Sequence, residues 1–223
     1  IPEGTRVGIV GRVGSGKSTL VHLLLRLYPV ERGMIRIGGV DLNDWPLAEL
    51  RRVVGIVFQE TILFSDTIAE NIRFGALKEL AQPEVERFAT IADVHKDISG
   101  FPKGYETLLG ERGINLSGGQ KQRVSLARTI SRDSRVLILD DSLSAVDTHT
   151  EEAILRELGE VMNQRTTFLI SHRLSTVAPC DVIIVLERGS IIQQGTHEEL
   201  LQQEGLYREL YDKQQLEAEV LSA

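Results

Sequence analysis

The segment Gly11-Arg12-Val13-Gly14-Ser15-Gly16-Lys17-Ser18 constrains this chain more than any other. Its spacing, G-x-x-x-x-G-K-S, is that of a phosphate-binding loop. Glycines let the backbone curl so that successive N–H groups point inward at anionic oxygens. In this pattern Lys17 neutralises the β- and γ-phosphates and the Ser18 hydroxyl holds Mg2+, so Gly11 through Thr19 form the candidate cradle. The β-branched run Thr5–Val10 leads into the loop, and leucine-rich Ser18–Tyr28 follows it with no breaker until Pro29. Strand, loop and helix are the context the motif requires, because the helix start turns its positive end on the same anion. A chance match in a chain this long is on the order of one in a hundred.

Further along, Met34–Ile37 and Val53–Phe58 read as strands, with Gly38-Gly39 as a turn. From about Thr67 to Thr129 the periodicity is helical, and both Thr67-x-x-Glu70 and Ser117-x-x-Gln120 fit a capping box. Strand-like and helix-like segments then alternate again: Val136–Leu139, Thr148–Met162, Thr166–Ile170, Val182–Leu186 and Ser190–Gln193. The tail from Thr196 to about Val220 reads as surface helices. Alternation at both ends implies a mostly parallel sheet with helices on its faces. The expected fold is therefore α/β: a core in two parts, residues 1–65 and 131–223, around an inserted α-helical subdomain at 66–130.

Composition narrows the partners. A net charge of −7 lacks the basic footprint of a nucleic-acid binder. The single cysteine, Cys180, excludes an internal disulfide framework and suits a reducing compartment. The longest apolar runs fall far short of the roughly 20 residues that span a bilayer, and the N-terminus has no signal-peptide pattern. The chain opens without Met, ten residues before the loop, and reads as a piece of something longer.

Two more segments carry chemistry. Val136-Leu137-Ile138-Leu139-Asp140 is an apolar strand ending in a carboxylate, the place where phosphate-loop proteins complete a Mg2+ shell. Leu116-Ser117-Gly118-Gly119-Gln120 is a helix start with two open glycines, a second anion-binding geometry. This segment resembles the signature motif of the ATP-binding cassette family, and the rest of the chain agrees. Gln59 falls where that family has its Gln loop, Ser144-Ala145-Val146-Asp147 resembles its D-loop, and Ile170-Ser171-His172-Arg173 its switch-His segment.

The resemblance implies a P-loop NTPase core of the RecA-like kind and two such domains sandwiching ATP head to tail. Lys17, Ser18, Gln59, Asp140, Asp141 and His172 would line one site with Mg2+ on Ser18, Gln59 and Asp140. Ser117, Gly118, Gly119 and Gln120 would complete the partner's site. Leu63–Ile72 and Gly110-Glu111-Arg112-Gly113 look like the exporter-type cassettes, whose corresponding stretches touch the coupling helices of transmembrane domains. The resemblance thus implies an exporter ATPase domain on the cytoplasmic face of the cell membrane, its transmembrane domains in the same full-length chain. Non-transport cassette ATPases carry a long coiled coil or a second cassette, and neither is present in this sequence. A purely regulatory nucleotide-binding module is a third possibility.

There are two departures from the family pattern. Hydrolysing members usually carry Glu after the Walker B Asp, where it orients the attacking water; here the residue is Asp141. Its carboxylate sits roughly 1.5 Å further back, one C–C bond. A misplacement near 1 Å can cost ~10²-fold in rate. In exporters that pair different half-transporters, one half often carries this Asp, so the implied partner is a different half-transporter; the alternative is an active homodimer. The second departure is that none of the ten residues before Gly11 is aromatic, so the adenine-stacking contact is not assigned. His22, His95, His149 and His197 show no metal-ligand spacing with one another or with Cys180 and read as packing or surface residues. Trp45 reads as packing, and Asp41 with Asp44 as a polar turn.

Overall fold

The computed structural model describes residues 1–113, 115–163 and 165–222. Its main sheet has six strands in the order β4-β5-β6-β1-β7-β8. The strands are β1 (Arg6–Val10), β4 (Val54–Val57), β5 (Val136–Asp140), β6 (Thr166–Ile170), β7 (Val182–Glu187) and β8 (Ser190–Gly195). Five run parallel and β8 closes the edge antiparallel to β7. A two-residue hairpin, β2 (Arg36–Ile37) with β3 (Val40–Asp41), stands apart. This is the mostly parallel α/β core expected from the alternation.

Both faces of the sheet are buried, because side chains alternate along each strand. Val7, Ile9, Ile138, Phe168 and Ile170 share one face with Val21 and Leu25 of α1 (Lys17–Leu24) and its C-terminal cap, and with Leu50 of α2 (Leu47–Val53). Val10, Leu137, Leu139, Leu169, Ile183 and Val185 share the other. There they meet α7 (Thr148–Met162), α8 (Leu174–Val177), α9 (His197–Leu201) and α10 (Leu206–Ser222). The same cluster continues into α3 (Ile68–Arg73), α4 (Gln82–Ile91), α5 (His95–Ser99) and α6 (Gly118–Ile130). No described segment between α3 and α6 forms a strand; a lone antiparallel bridge joins Thr67 to Leu108.

Several boundaries differ from the sequence reading for local reasons. The first helix ends at Leu24 rather than Tyr28, because Arg26 takes a left-handed φ of 51°. Arg26 N donates to Leu23 O (2.9 Å) and Leu27 N to His22 O (3.1 Å), the Schellman closure that glycine normally makes. The Arg26 guanidinium offsets that strain by donating to Leu42 O and Trp45 O at 3.1 and 2.8 Å. The strand expected over Met34–Ile37 shrinks to Arg36–Ile37. At Thr67 the hydroxyl caps Glu70 N (3.1 Å), but the Glu70 carboxylate pairs with Arg73 instead of returning to the cap. The Ser117–Gln120 box is complete in both directions, at 3.2 and 3.1 Å.

Candidate functional site

The parallel strands all end on one edge of the sheet, where ligands bind in open α/β folds. The loop after β1 curls there with positive φ at Gly11, Gly14 and Gly16. Gly11 is required sterically as well: a Cβ would lie 2.2 Å from Leu186 O and 2.7 Å from Ser15 Oγ. The buried Lys17 ammonium folds back onto the loop and donates to Gly11 O (2.9 Å) and Arg12 O (3.1 Å). Burial lowers the Lys17 pKa, against the pull of Asp141 and Asp140. Val13, Gly14, Ser15, Gly16, Lys17, Ser18 and Thr19 line an open depression of about 360 Å³. Its other walls are Gln59, Asp140, Asp141, Ile170 and His172. Gly11 and Arg12 lie outside this lining, and the Arg12 side chain turns away to Glu209 at 3.0 Å.

Asp140, at the end of β5, accepts from Ser18 Oγ at 3.2 Å and lies 4.0 Å from His22 Nε2. Burial raises its pKa, opposed by the Ser18 bond and His22. Ser18 Oγ and Asp140 Oδ1, adjacent at 3.2 Å, are oxygen donors of the kind Mg2+ takes. Among the described residues no group of three or more His, Cys, Asp or Glu side chains could hold a metal. A cation here has to be completed by phosphate oxygens and water, as Mg2+ usually is. The Ser18–Asp140 pair fits it.

Asp141 follows with a left-handed φ of 48°, a conformation Asp tolerates better than most residues. Its N–H donates to Ile170 O (2.9 Å), which fixes it against β6. One carboxylate oxygen, Oδ2, meets both His172 Nε2 (3.2 Å) and Gln59 Nε2 (3.4 Å). Asp141, His172 and Gln59 therefore meet at one carboxylate oxygen.

Ser117–Gln120 lies away from this depression. Ser117 and Gly118 are exposed at the start of α6. The signature instead abuts its own D-loop: a Cβ on Gly119 would lie 2.9 Å from Ala145 O. Gln122 ties the two segments, accepting from Ala145 N (3.0 Å) and donating to Ser144 Oγ (3.2 Å). The stretch after Gln59 is held to the helical lobe by half-buried Arg128, which donates to Ile62 O and Asn71 O, both at 2.8 Å. Burial lowers the Arg128 pKa to about 10. Phe64 and Phe74 pack beside it with tilted rings 4.4 Å apart and stay exposed, with Ile62 and Leu108 also on the surface. In Gly110-Glu111-Arg112-Gly113 the Arg112 side chain lies outside the described residues.

Sequence reasoning missed the contacts that hold the switch segment. Arg173 reaches buried Glu151 of α7 and Val146 O of the D-loop, and Thr176 donates to the same carboxylate. Gln214 of α10 brackets the backbone from the other side. These residues lie 22 to 42 positions from their partners, and no spacing rule signals them. Two of the histidines set aside as packing or surface residues, His95 and His197, bond Tyr105 and Tyr207, each at 2.7 Å, whereas His22 lies beside Asp140. Asp41 accepts from Asn43 N and Gly33 N, while Asp44 pairs with Arg32, so both stabilise the turn.

A parallel sheet with a glycine-rich loop opening α1 and an acidic strand end opposite defines a P-loop NTPase fold. The chain belongs to the ABC transporter family, which matches residues 1–144. It is 47% identical over its whole length to ATP-binding cassette sub-family B member 6 of Mesocricetus auratus, covering 26% of that protein. It is 46% identical over 97% of its length to the probable multidrug resistance ABC transporter ATP-binding/permease protein YheI of Bacillus subtilis, covering 37% of it. A solved structure of a bacterial Atm1-family ABC exporter with ATP bound superposes with a TM-score of 0.91. That exporter is 44% identical, the match covering 95% of this chain and 37% of that one. The chain thus spans roughly a quarter to two fifths of the length of these relatives. No described helix is long and apolar enough to cross a membrane.

Proposed function

We propose that this chain is the nucleotide-binding, ATP-hydrolysing domain of an exporter, working as the slow half of a heterodimer. One observation carries the reading. Val13–Thr19, Gln59, Asp140, Asp141 and His172 share one depression, while Ser117–Gln120 lies outside it with Ser117 and Gly118 exposed. A signature that cannot reach its own phosphate loop is suited to completing the site of a second domain placed head to tail.

In this account the loop N–H groups and the α1 N-terminus receive the triphosphate. Lys17 leaves the Gly11 and Arg12 carbonyls for the β- and γ-phosphates. Ser18 and Asp140, with Gln59, would hold Mg2+, which would neutralise phosphate charge when bound. His172 faces the γ-phosphate end. Asp141 orients the attacking water, and its shorter reach and its ties to His172 and Gln59 make that step slow. Closure brings the partner's signature onto the nucleotide; hydrolysis and phosphate release reopen the pair. The exposed Phe64–Phe74 patch, with Gly110–Gly113, receives the coupling helices of transmembrane domains carried in the same full-length protein. The domain then works at the cytoplasmic face of the membrane. The acidic balance supports no nucleic-acid role.

ATP hydrolysis by the full-length protein in lipid nanodiscs, alone and with a half-transporter carrying Glu after its Walker B Asp, tests this. Fast turnover is expected only with both halves. Full turnover by this protein alone would replace the heterodimer with a homodimer, and failure to bind ATP in either state would reject the assignment.

A further inference from the structure

The switch segment has an anchor outside the motifs. His172 lies in the short connection between β6 and α8, and its imidazole is half-exposed, meeting Asp141 Oδ2 at 3.2 Å and no other side-chain partner among the described residues. Its backbone is fixed from α10. Gln214 Nε2 donates to His172 O at 2.6 Å, and Gln214 Oε1 accepts from Leu174 N at 2.9 Å. One primary amide therefore satisfies an acceptor and a donor two residues apart, a match that needs both ends of the amide. The helix that delivers it is firmly seated at its base. Tyr207 is fully buried, its N–H donates to Gln193 Oε1 (3.1 Å), and its hydroxyl meets His197. Glu209, between these points, reaches Arg12 in the phosphate loop. Arg173, within the bracket, is held on its far side by Glu151 and Val146 O.

We propose that Gln214 is a positioning residue for His172: by clamping the backbone on both sides of Arg173, it sets where the imidazole meets the γ-phosphate. The proposal rests on the reading of His172 as the γ-phosphate contact. Gln214 acts only on the group that distinguishes ATP from ADP, whereas the phosphate loop acts on both nucleotides. Gln214→Leu removes donor and acceptor; Gln214→Glu keeps the acceptor and sets a charge against His172 O.

The test is displacement of a fluorescent nucleotide from the full-length protein by Mg-ATP and by Mg-ADP. It compares wild type, the two Gln214 variants, Lys17→Ala, and Lys213→Gln as an exposed neighbour on α10. Gln214→Leu and Gln214→Glu are expected to weaken ATP about 10- to 150-fold, the scale of a lost hydrogen bond to a charged group. ADP should stay within twofold, which also reports that the variants are folded, and Lys213→Gln should match wild type. Equal weakening of both nucleotides would make Gln214 a purely structural contact and overturn the proposal. So would wild-type ATP affinity in both Gln214 variants while Lys17→Ala loses binding. If Lys17→Ala also binds normally, the phosphate site itself is misassigned, and the functional reading falls with this one.

Discussion

Lys17→Ala separates the phosphate reading from a merely structural loop. In this structure the ammonium is buried and spends its protons on Gly11 O and Arg12 O at 2.9 and 3.1 Å. Removing it loses two charge-assisted bonds but also relieves the burial that lowers its pKa. These effects oppose each other, so the loss of folding stability should be small, about 1 kcal/mol. Binding is different. A unit charge about 4 Å from a phosphate oxygen gains about 4 kcal/mol at an effective dielectric of 20. Part of that is offset because the ammonium first leaves its two carbonyls. A net loss of about 2–4 kcal/mol corresponds to roughly 30- to 1000-fold weaker Mg-ATP binding. Calorimetric titration of the full-length protein, alongside a urea melt, reads both quantities. Affinity within threefold of wild type, or a large stability loss with unchanged affinity, would refute the argument.

Other consequences follow from particular residues. Burial pushes the Cys180 thiol from 9.0 to about 12. Between those values the unfolded thiol has lost its proton and the folded one keeps it. Stability is therefore intact below pH 9 and falls as pH rises toward 12, by at most about 1.4 kcal/mol per unit; urea midpoints should fall less steeply in Cys180→Ala, and equal slopes would contradict this. Asp141→Glu should raise turnover in this chain's own site, while the left-handed φ of 48° costs the bulkier residue about 1 kcal/mol. Unchanged turnover at a lowered melting temperature would show that reach is not the defect. Without nucleotide the isolated domain should be monomeric by light scattering, because dimer closure needs ATP between opposed loops; a stable nucleotide-free dimer would refute that.

The sequence carried the core where a local rule was sufficient. Thr148–Met162 and Thr166–Ile170 appear with the expected ends, because Asp147 caps the helix through Thr150 N and β6 is a compact β-branched and apolar run. Phosphate loop and strand-end carboxylate were legible as pattern and the switch histidine through the family resemblance, and the folded sheet brings them together. What escaped was long-range or conformationally unusual. The left-handed Arg26 has no Gly or Asn to announce it, and the four-residue α8 is too short to show a period. Lys17 bonding its own loop, Gln122 joining signature to D-loop, and Gln214 clamping His172 depend on tertiary placement alone.

The central claim is that this chain lends a complete signature to a partner's fast site while its own site is slow. Steady-state ATP hydrolysis by the assembled heterodimer carrying Ser117→Arg, measured beside Asp141→Ala, tests it most directly. Ser117 is exposed and its hydroxyl caps Gln120 N at 3.2 Å. An arginine there should block the approach of the partner's γ-phosphate and bring turnover close to background. Asp141→Ala should leave most of the rate, because the partner's site does the work. A large loss from Asp141→Ala, or near-normal turnover with Ser117→Arg, would contradict the account.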